Sequence, residues 1–321
     1  MLEGSVQRDQ KRVRVNAQLI DAETGAHIWG DRFEADTADL FKLQDQVVAQ
    51  LANALRYELS MAEAAKAVGA QNPDAVDLAM RGWAVMPALT SKDETDAARP
   101  LFEQALKIDP DNSEALAGKA TTTLSEYIYT PKADVDYDAA ILGLADRAIA
   151  LDRGNIQAYR TKGQYLNIAG RSEDAVRALD AGLAINPNAA TLLAMRGNAE
   201  DYLRRFEQAK SDVQQAMLLS PRDPEMSRWF NLRADPELGL GRYDEALEDV
   251  KKAVDGGYRN IYSYMNLAAA HAFKGELDEA KAAMAEARRL KPDLSVKWLM
   301  KHKPVLQFAF DGLRKAGLPE E

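Results

Sequence analysis

The 321-residue chain contains no cysteine, and that absence removes disulfides, thiolate metal sites and cysteine nucleophiles together. Histidine is scarce: His27, His271 and His302 are the whole supply. They show no HExxH spacing and no adjacent carboxylate pattern, so zinc chemistry finds no ligand set. Neither a GxGxxG nor a GK[ST] run occurs, and Gly256–Gly257 reads as a turn, so phosphate-cradling loops are missing as well. No apolar run approaches the ~18 residues of a spanning helix, and the opening MLEGSVQRDQKRVRV lacks the apolar core of a signal peptide. The expectation is a non-catalytic cytoplasmic chain with no metal, no cofactor and no membrane partner.

What is present is an ordinary folded composition, 46% hydrophobic and 28% charged. A formal charge of −9 argues against a nucleic-acid partner, because gripping phosphates needs clustered Lys and Arg. The basic run Lys11–Arg12–Arg14 alternates with apolar residues and reads as the solvated face of a sheet.

In Arg12–Asp21, Val13, Val15, Ala17 and Leu19 alternate with Arg12, Arg14, Asn16 and Gln18, the period of two that places one face on a core. Polar Arg8–Lys11 separates this strand from one over Glu3–Gln7, and Asp21–Gly25 turns it into a third over Ala26–Phe33. After Asp36 the period changes. Leu40, Val47, Val48, Leu51 and Leu55 fall on one helical stripe, with Asp36 or Thr37 as N-cap. The pattern runs to about Ala67, and Val68–Pro73 is a linker.

Beyond it, Ala175, Ala209, Ala246 and Ala280 follow one another at 34, 37 and 34 residues, each with Gly182, Ala216, Ala253 or Ala287 seven positions on. Small residues at such spacing let paired helices approach closely. Six units start near Ala75, Ser113, Ile156, Ala190, Pro224 and Ile261. The first carries extra residues between its helices, the second carries more around Tyr127–Asp138, and the fifth is irregular at Asp235–Pro236. Gly170 suits a left-handed helix end. The acid pairs Glu173–Asp174, Asp244–Glu245 and Asp278–Glu279 precede second helices, where the dipole favours negative charge by roughly 0.3–1 kcal/mol. They read as capping groups, not catalysts. Trp298–Lys315, divided by Pro304, supplies a polar end for the stack.

The 75–292 region resembles tetratricopeptide repeats, through positions that recur in phase over two thirds of the chain. Residues 1–70 look like the second half of a TolB-like amino-terminal domain, through Leu2–Val6, Val13–Ala22, Thr24–Gly25, His27–Trp29 and Asp39–Asp45. In that family an α/β half precedes this stretch. The combination, ending in Asp311–Glu320, is similar to the C-terminal region of bacterial class III adenylate/guanylate cyclases, and the same region also follows winged-helix DNA-binding domains. The resemblance implies a mainly α fold: a tetratricopeptide superhelix of about six helix pairs over 71–293, capping helices over 294–321, and a partial α/β domain of a three-stranded meander and a helix over 1–70. It implies a regulatory or scaffolding role in a bacterial signalling protein, without the catalytic domain that a cyclase needs.

Such arrays take extended peptides or helices in a concave groove. Carrying over the family's groove positions gives Arg160, Gln164 and Asn167, then Asn198, Asp201 and Tyr202, then Tyr262, Met265 and Phe273. Amides, an Arg and aromatics suit backbone hydrogen bonding plus an apolar anchor; the alternative is plain surface. The clamp for peptide carboxylates seen in some relatives finds no support, because Ala194 and Met195 stand where polar groups are needed. The partner is expected to be a protein or peptide, and the unpaired sheet edge offers a route to self-association.

Overall fold

The computed structural model describes residues 1–9, 12–20, 25, 27–36, 47–53, 73–86, 92–302 and 309–321. The turn over 21–24, Thr37, the 39–45 motif, the 68–72 linker and Pro304 lie outside them. The described residues form two compact units. The first is Met1–Thr161 with Ile185–Ala190 and Leu218–Asp223; the second is Lys162–Ala184 with Thr191–Met217 and Pro224–Glu321. The sheet thus shares a unit with the first helix pairs.

In the first unit, β1 (Leu2–Arg8), β2 (Arg12–Ile20) and β3 (His27–Asp36) form an antiparallel sheet in the order β1-β2-β3. Leu2 faces Leu19 and Val15 faces Phe33. The alternating pattern buries Val13, Ala17, Leu19, Trp29 and Phe33 on one side, where Val47 and Leu51 of the helix α1 (47–53) cover them. On the other side Asn16 and Gln18 bond Ser5 and Glu3. The inward flank of α1 is tied down by polar contacts: Gln50 donates to the Leu218 carbonyl, and Asn53 donates to that of Asn188 at 2.9 Å. Arg222 donates to the Gly30 carbonyl of β3 at 2.8 Å.

The first helix pairs of this unit are α2 (Ala75–Val85) with α3 (Lys92–Ile108), and α4 (Ser113–Tyr129) with α5 (Gly143–Leu151). Asp74 and Asn112 cap α2 and α4 through their side chains. The insertion expected around Tyr127–Asp138 becomes a loop followed by a π-helical turn over Asp138–Leu142 that runs directly into α5. Tyr137 donates to Glu126 at 3.1 Å, and Glu126 also meets Arg99 and Lys132, which closes the loop onto the pair.

The following elements are α6 (Ile156–Ile168), α7 (Ser172–Ile185), α8 (Ala190–Tyr202), α9 (Phe206–Leu219), α10 (Met226–Gly239), α11 (Tyr243–Asp255), α12 (Ile261–Lys274) and α13 (Leu277–Leu290). First helices therefore start where the spacing places them, with the fifth displaced to Met226. Small residues sit at the crossings. A Cβ on Gly163 would lie 2.6 Å from Leu179, and one on Gly197 would lie 2.7 Å from the Ala209 carbonyl.

Each of these first helices ends alike. Arg171, Arg205, Arg242 and Glu276 donate their backbone N–H five residues back, to Leu166, Glu200, Glu237 and His271, the Schellman arrangement. The residue before each is left-handed: Gly170, Arg204, Gly241 and Gly275 have φ of 80°, 59°, 74° and 84°. Arg204 holds this position without glycine's freedom, at a cost of roughly 1–2 kcal/mol.

The chain closes on α14 (Val296–His302) and α15 (Phe310–Lys315). Leu294, Leu299, Phe310, Leu313 and Leu318 are buried with α12 and α13 in one apolar cluster. The terminal segment returns to α14, where Val296 and Lys297 donate to the Pro319 and Glu320 carbonyls. These two short helices are the cap expected from Trp298–Lys315.

Candidate functional site: the polar row of the first helices

Within the second unit, side chains of successive first helices meet one another. Asn167 donates to Asn198 Oδ1 at 3.2 Å and accepts from Ser172 at 2.6 Å. Arg228 reaches Met195 Sδ at 3.7 Å while pairing with Glu225 at 2.7 Å. Asn266 Nδ2 donates both to Asn231 Oδ1 at 3.3 Å and to Asp235 Oδ1 at 2.7 Å. In the first unit the same kind of contact joins Thr121 and Thr161 at 2.7 Å. A row of amides and carboxyls thus follows the first helices, held by bonds between neighbouring repeats.

The residues carried over from the family pattern divide by burial. Gln164, Asn198, Tyr202 and Tyr262 are half-buried, whereas Arg160, Asn167 and Asp201 are enclosed. Met265 is 1% exposed and belongs to the core. Phe273 is half-buried, stacks on Tyr243 with ring centroids 5.0 Å apart and packs on the apolar cluster. A Cβ on Gly312 of α15 would lie 3.0 Å from its ring. The apolar anchor positions are therefore occupied by the chain's own C-terminal helix and core. Ala194 and Met195 are buried.

Sequence reasoning passed over Asn231 and Asp235, because the fifth repeat lost its frame at Pro236, and over Asn266 in the sixth. Their offset was the available signal: Asp235 lies 37 residues after Asn198, the same step that separates Ala209 from Ala246. Burial pushes the Asp235 carboxyl up to about 7, against the opposing pull of the Asn266 hydrogen bond.

Two other features carry less chemistry. A cleft of about 400 Å³ lies among Asp31, Arg32, Phe33, Gln50 and Arg222 of the first unit. Its charges are already matched, Glu34 by Arg14 and Arg32, and Asp31 by Arg222. Among the described residues there is no group of His, Asp and Glu fit to hold a metal, and no helix is long and apolar enough to cross a membrane.

Helix pairs recurring at 34–37 residues, with small residues at the crossings and Schellman ends, define an α-helical repeat protein. Tetratricopeptide repeat models match residues 88–112 and 261–294, so the chain carries tetratricopeptide repeats. It is 33% identical over 181 residues, 56% of its length, to "Putative adenylate cyclase 3" of Rhizobium meliloti (strain 1021), of which this covers 31%. It is 26% identical over 194 residues, 60% of its length, to "U-box domain-containing protein 70" of Oryza sativa subsp. japonica, covering 22% of that protein. The chain spans about a third or less of the length of these relatives. Among solved structures, the APC/C hetero-tetramer Cut9-Hcn1 matches with a TM-score of 0.60 at 16% identity, covering 81% of this chain and 47% of that one. PilW, a type IV pilus biogenesis factor, matches at 0.50 and 16% identity, covering 68% and 94%. These likenesses concern the fold.

Proposed function

We propose that this chain is a non-catalytic interaction module that receives an extended segment of a partner protein along the polar row of its first helices. The row in the second unit carries this reading, from Gln164, Asn167 and Asn198 through Tyr202 and Asn231 to Tyr262 and Asn266. Amides spaced along successive helices suit the peptide groups of an extended chain, and Tyr202 and Tyr262 add apolar contact beside them. The wider role is that of the regulatory part of a bacterial signalling protein; the similarity to a protein described as an adenylate cyclase favours cyclic-nucleotide signalling over a winged-helix regulator. On this view the isolated chain forms no cyclic nucleotide.

The test is selection of displayed peptides on the full chain, followed by affinity measurement with Asn198→Ala and Asn266→Ala combined. Selected peptides should weaken by about tenfold or more, the effect of losing two hydrogen bonds of about 1 kcal/mol each, while helicity stays unchanged. Peptides that bind both proteins equally would place the interaction elsewhere.

A second copy is the further partner that we propose, because β1 is exposed along its whole length, with Leu2 53% and Val6 70% exposed on the sheet's apolar side. Among the described residues no strand pairs with the outer edge of β1, and an edge of this kind is a template for another strand. Light scattering of the full chain should give a doubled mass that Val6→Lys returns to the monomer. A monomeric parent would remove this partner.

A further inference from the structure

Six carboxylates of the helices, Glu126, Glu200, Asp212, Glu225, Glu237 and Asp249, each meet an Arg or Lys. Asp235 meets neither among the described residues; its contact is the amide of Asn266. It is also partly accessible, with the buried Asn231 and Asn266 behind it. The single amide nitrogen of Asn266 bonds Asp235 Oδ1 and Asn231 Oδ1 together. Two acceptor oxygens are thereby held close to each other, and each retains a lone pair.

We propose that Asp235 and Asn231, positioned by Asn266, form the subsite for a lysine or arginine side chain of the bound protein segment. This rests on the interaction reading given above and names the chemistry of one partner residue. An ammonium or guanidinium group offers the multiple donors that this pair of acceptors lacks, and it supplies the positive charge that those six carboxylates already have. A neutral amide would satisfy the acceptors and leave the carboxylate uncompensated in an enclosed position. The chain's net charge of −9 favours the approach of a basic segment.

Burial holds the Asp235 carboxyl up at about 7, so near neutrality an arriving cation displaces a proton. Binding therefore strengthens as pH rises through that value, in contrast to a site whose carboxylate is already ionised. Of the charged groups on neighbouring elements, Asp249 of α11 pairs with Arg233, Lys210 of α9 with Glu237, and His271 of α12 with Glu276, while Asp201 of α8 is a further buried carboxyl. Glu225 and Arg228, beside and on α10, pair with each other.

The probes are N-acetyl-lysine methylamide and its norleucine counterpart, titrated into the full chain while the side-chain amide signals of Asn231 and Asn266 are followed by NMR. The lysine probe should shift these signals saturably and bind about tenfold tighter near pH 8 than near pH 6, in keeping with a group titrating at about 7. The norleucine probe should leave them unmoved. Asp235→Asn preserves the hydrogen bond to Asn266 and should abolish the response with helicity intact. Equal responses to both probes, no response, or an unchanged response in Asp235→Asn would each overturn the proposal. Selected peptides that depend on Asn198 and Asn266 yet ignore Asp235→Asn would leave the interaction reading standing and remove only this subsite.

Discussion

Phe102→Ala should destabilise the chain by about 3–5 kcal/mol, the usual range for truncating a fully buried aromatic side chain. Phe102 has no exposed surface, and its ring fills a space made by two glycines. A Cβ on Gly82 of α2 would lie 2.6 Å from the ring, and one on Gly118 of α4 would lie 2.2 Å away. The ring also meets Trp83 edge-on, with centroids 5.2 Å apart, a contact that adds roughly 0.5–1.5 kcal/mol beyond area burial. Because the ring touches helices of two successive repeats, its removal leaves a cavity that neither helix alone can collapse into. Gly118→Ala attacks the same contact from the opposite side, by overpacking, and should cost about 1–3 kcal/mol. Guanidinium unfolding followed by circular dichroism and by Trp83 fluorescence measures both. A loss under about 1 kcal/mol for Phe102→Ala would mean that this ring does not bridge the repeats.

The helix pairs were legible in the sequence because their small residues and turn glycines answer to local rules. Ala175, Ala209, Ala246 and Ala280 mark crossings wherever they occur, and Gly170, Gly241 and Gly275 mark left-handed ends. Arg204 occupies the same backbone state without announcing it, since its neighbours' hydrogen bonds, not its own preference, impose the conformation. Strand pairing was legible from period-two alternation. The contacts of α1 with the Asn188 and Leu218 carbonyls were not, because they join residues 135 and 168 positions apart and leave no periodic trace.

The burial of the expected groove positions was less legible, for a physical reason. Repeat position tells which side of a helix a residue occupies, but not whether something outside the repeat covers that side. Met265 and Phe273 hold anchor positions by that measure, yet the apolar cluster they join extends into α15. Asn231, Asp235 and Asn266 form a bonded group that no single repeat contains, and the meeting of α10 and α12 assembles it.

Arg196→Met is the second large effect, an expected loss of about 3–5 kcal/mol, the range for breaking a buried ion pair from one side. Arg196 on α8 donates to both oxygens of Asp212 on α9, at 2.7 and 2.9 Å, and to Asp180 of α7 at 2.8 Å. The Asp212 hydrogen bonds, with those of Asp180, hold the guanidinium above its usual range despite its partial burial. The two partners are not equivalent. Asp212 is 3% exposed, whereas Arg196 is 22% exposed and has Asp180 as a second, half-exposed acceptor. Removing the arginine strands a buried carboxylate whose remaining donor is Gln208 at 2.8 Å; Asp212→Leu leaves a cation that still has Asp180 and water. Arg196→Met should therefore cost more than Asp212→Leu. The two changes together should return close to the parent stability, because an apolar pair of similar volume avoids the desolvation that the ions suffer. The same geometry recurs 37 residues later between Arg233 and Asp249, at 2.7 and 2.6 Å, so Arg233→Met should likewise strand a buried carboxylate. A double-mutant cycle in guanidinium decides between the outcomes. If the two single losses simply add in the double variant, the pair contributes no coupling, and the recurring Arg–Asp bridge is not what holds first and second helices together.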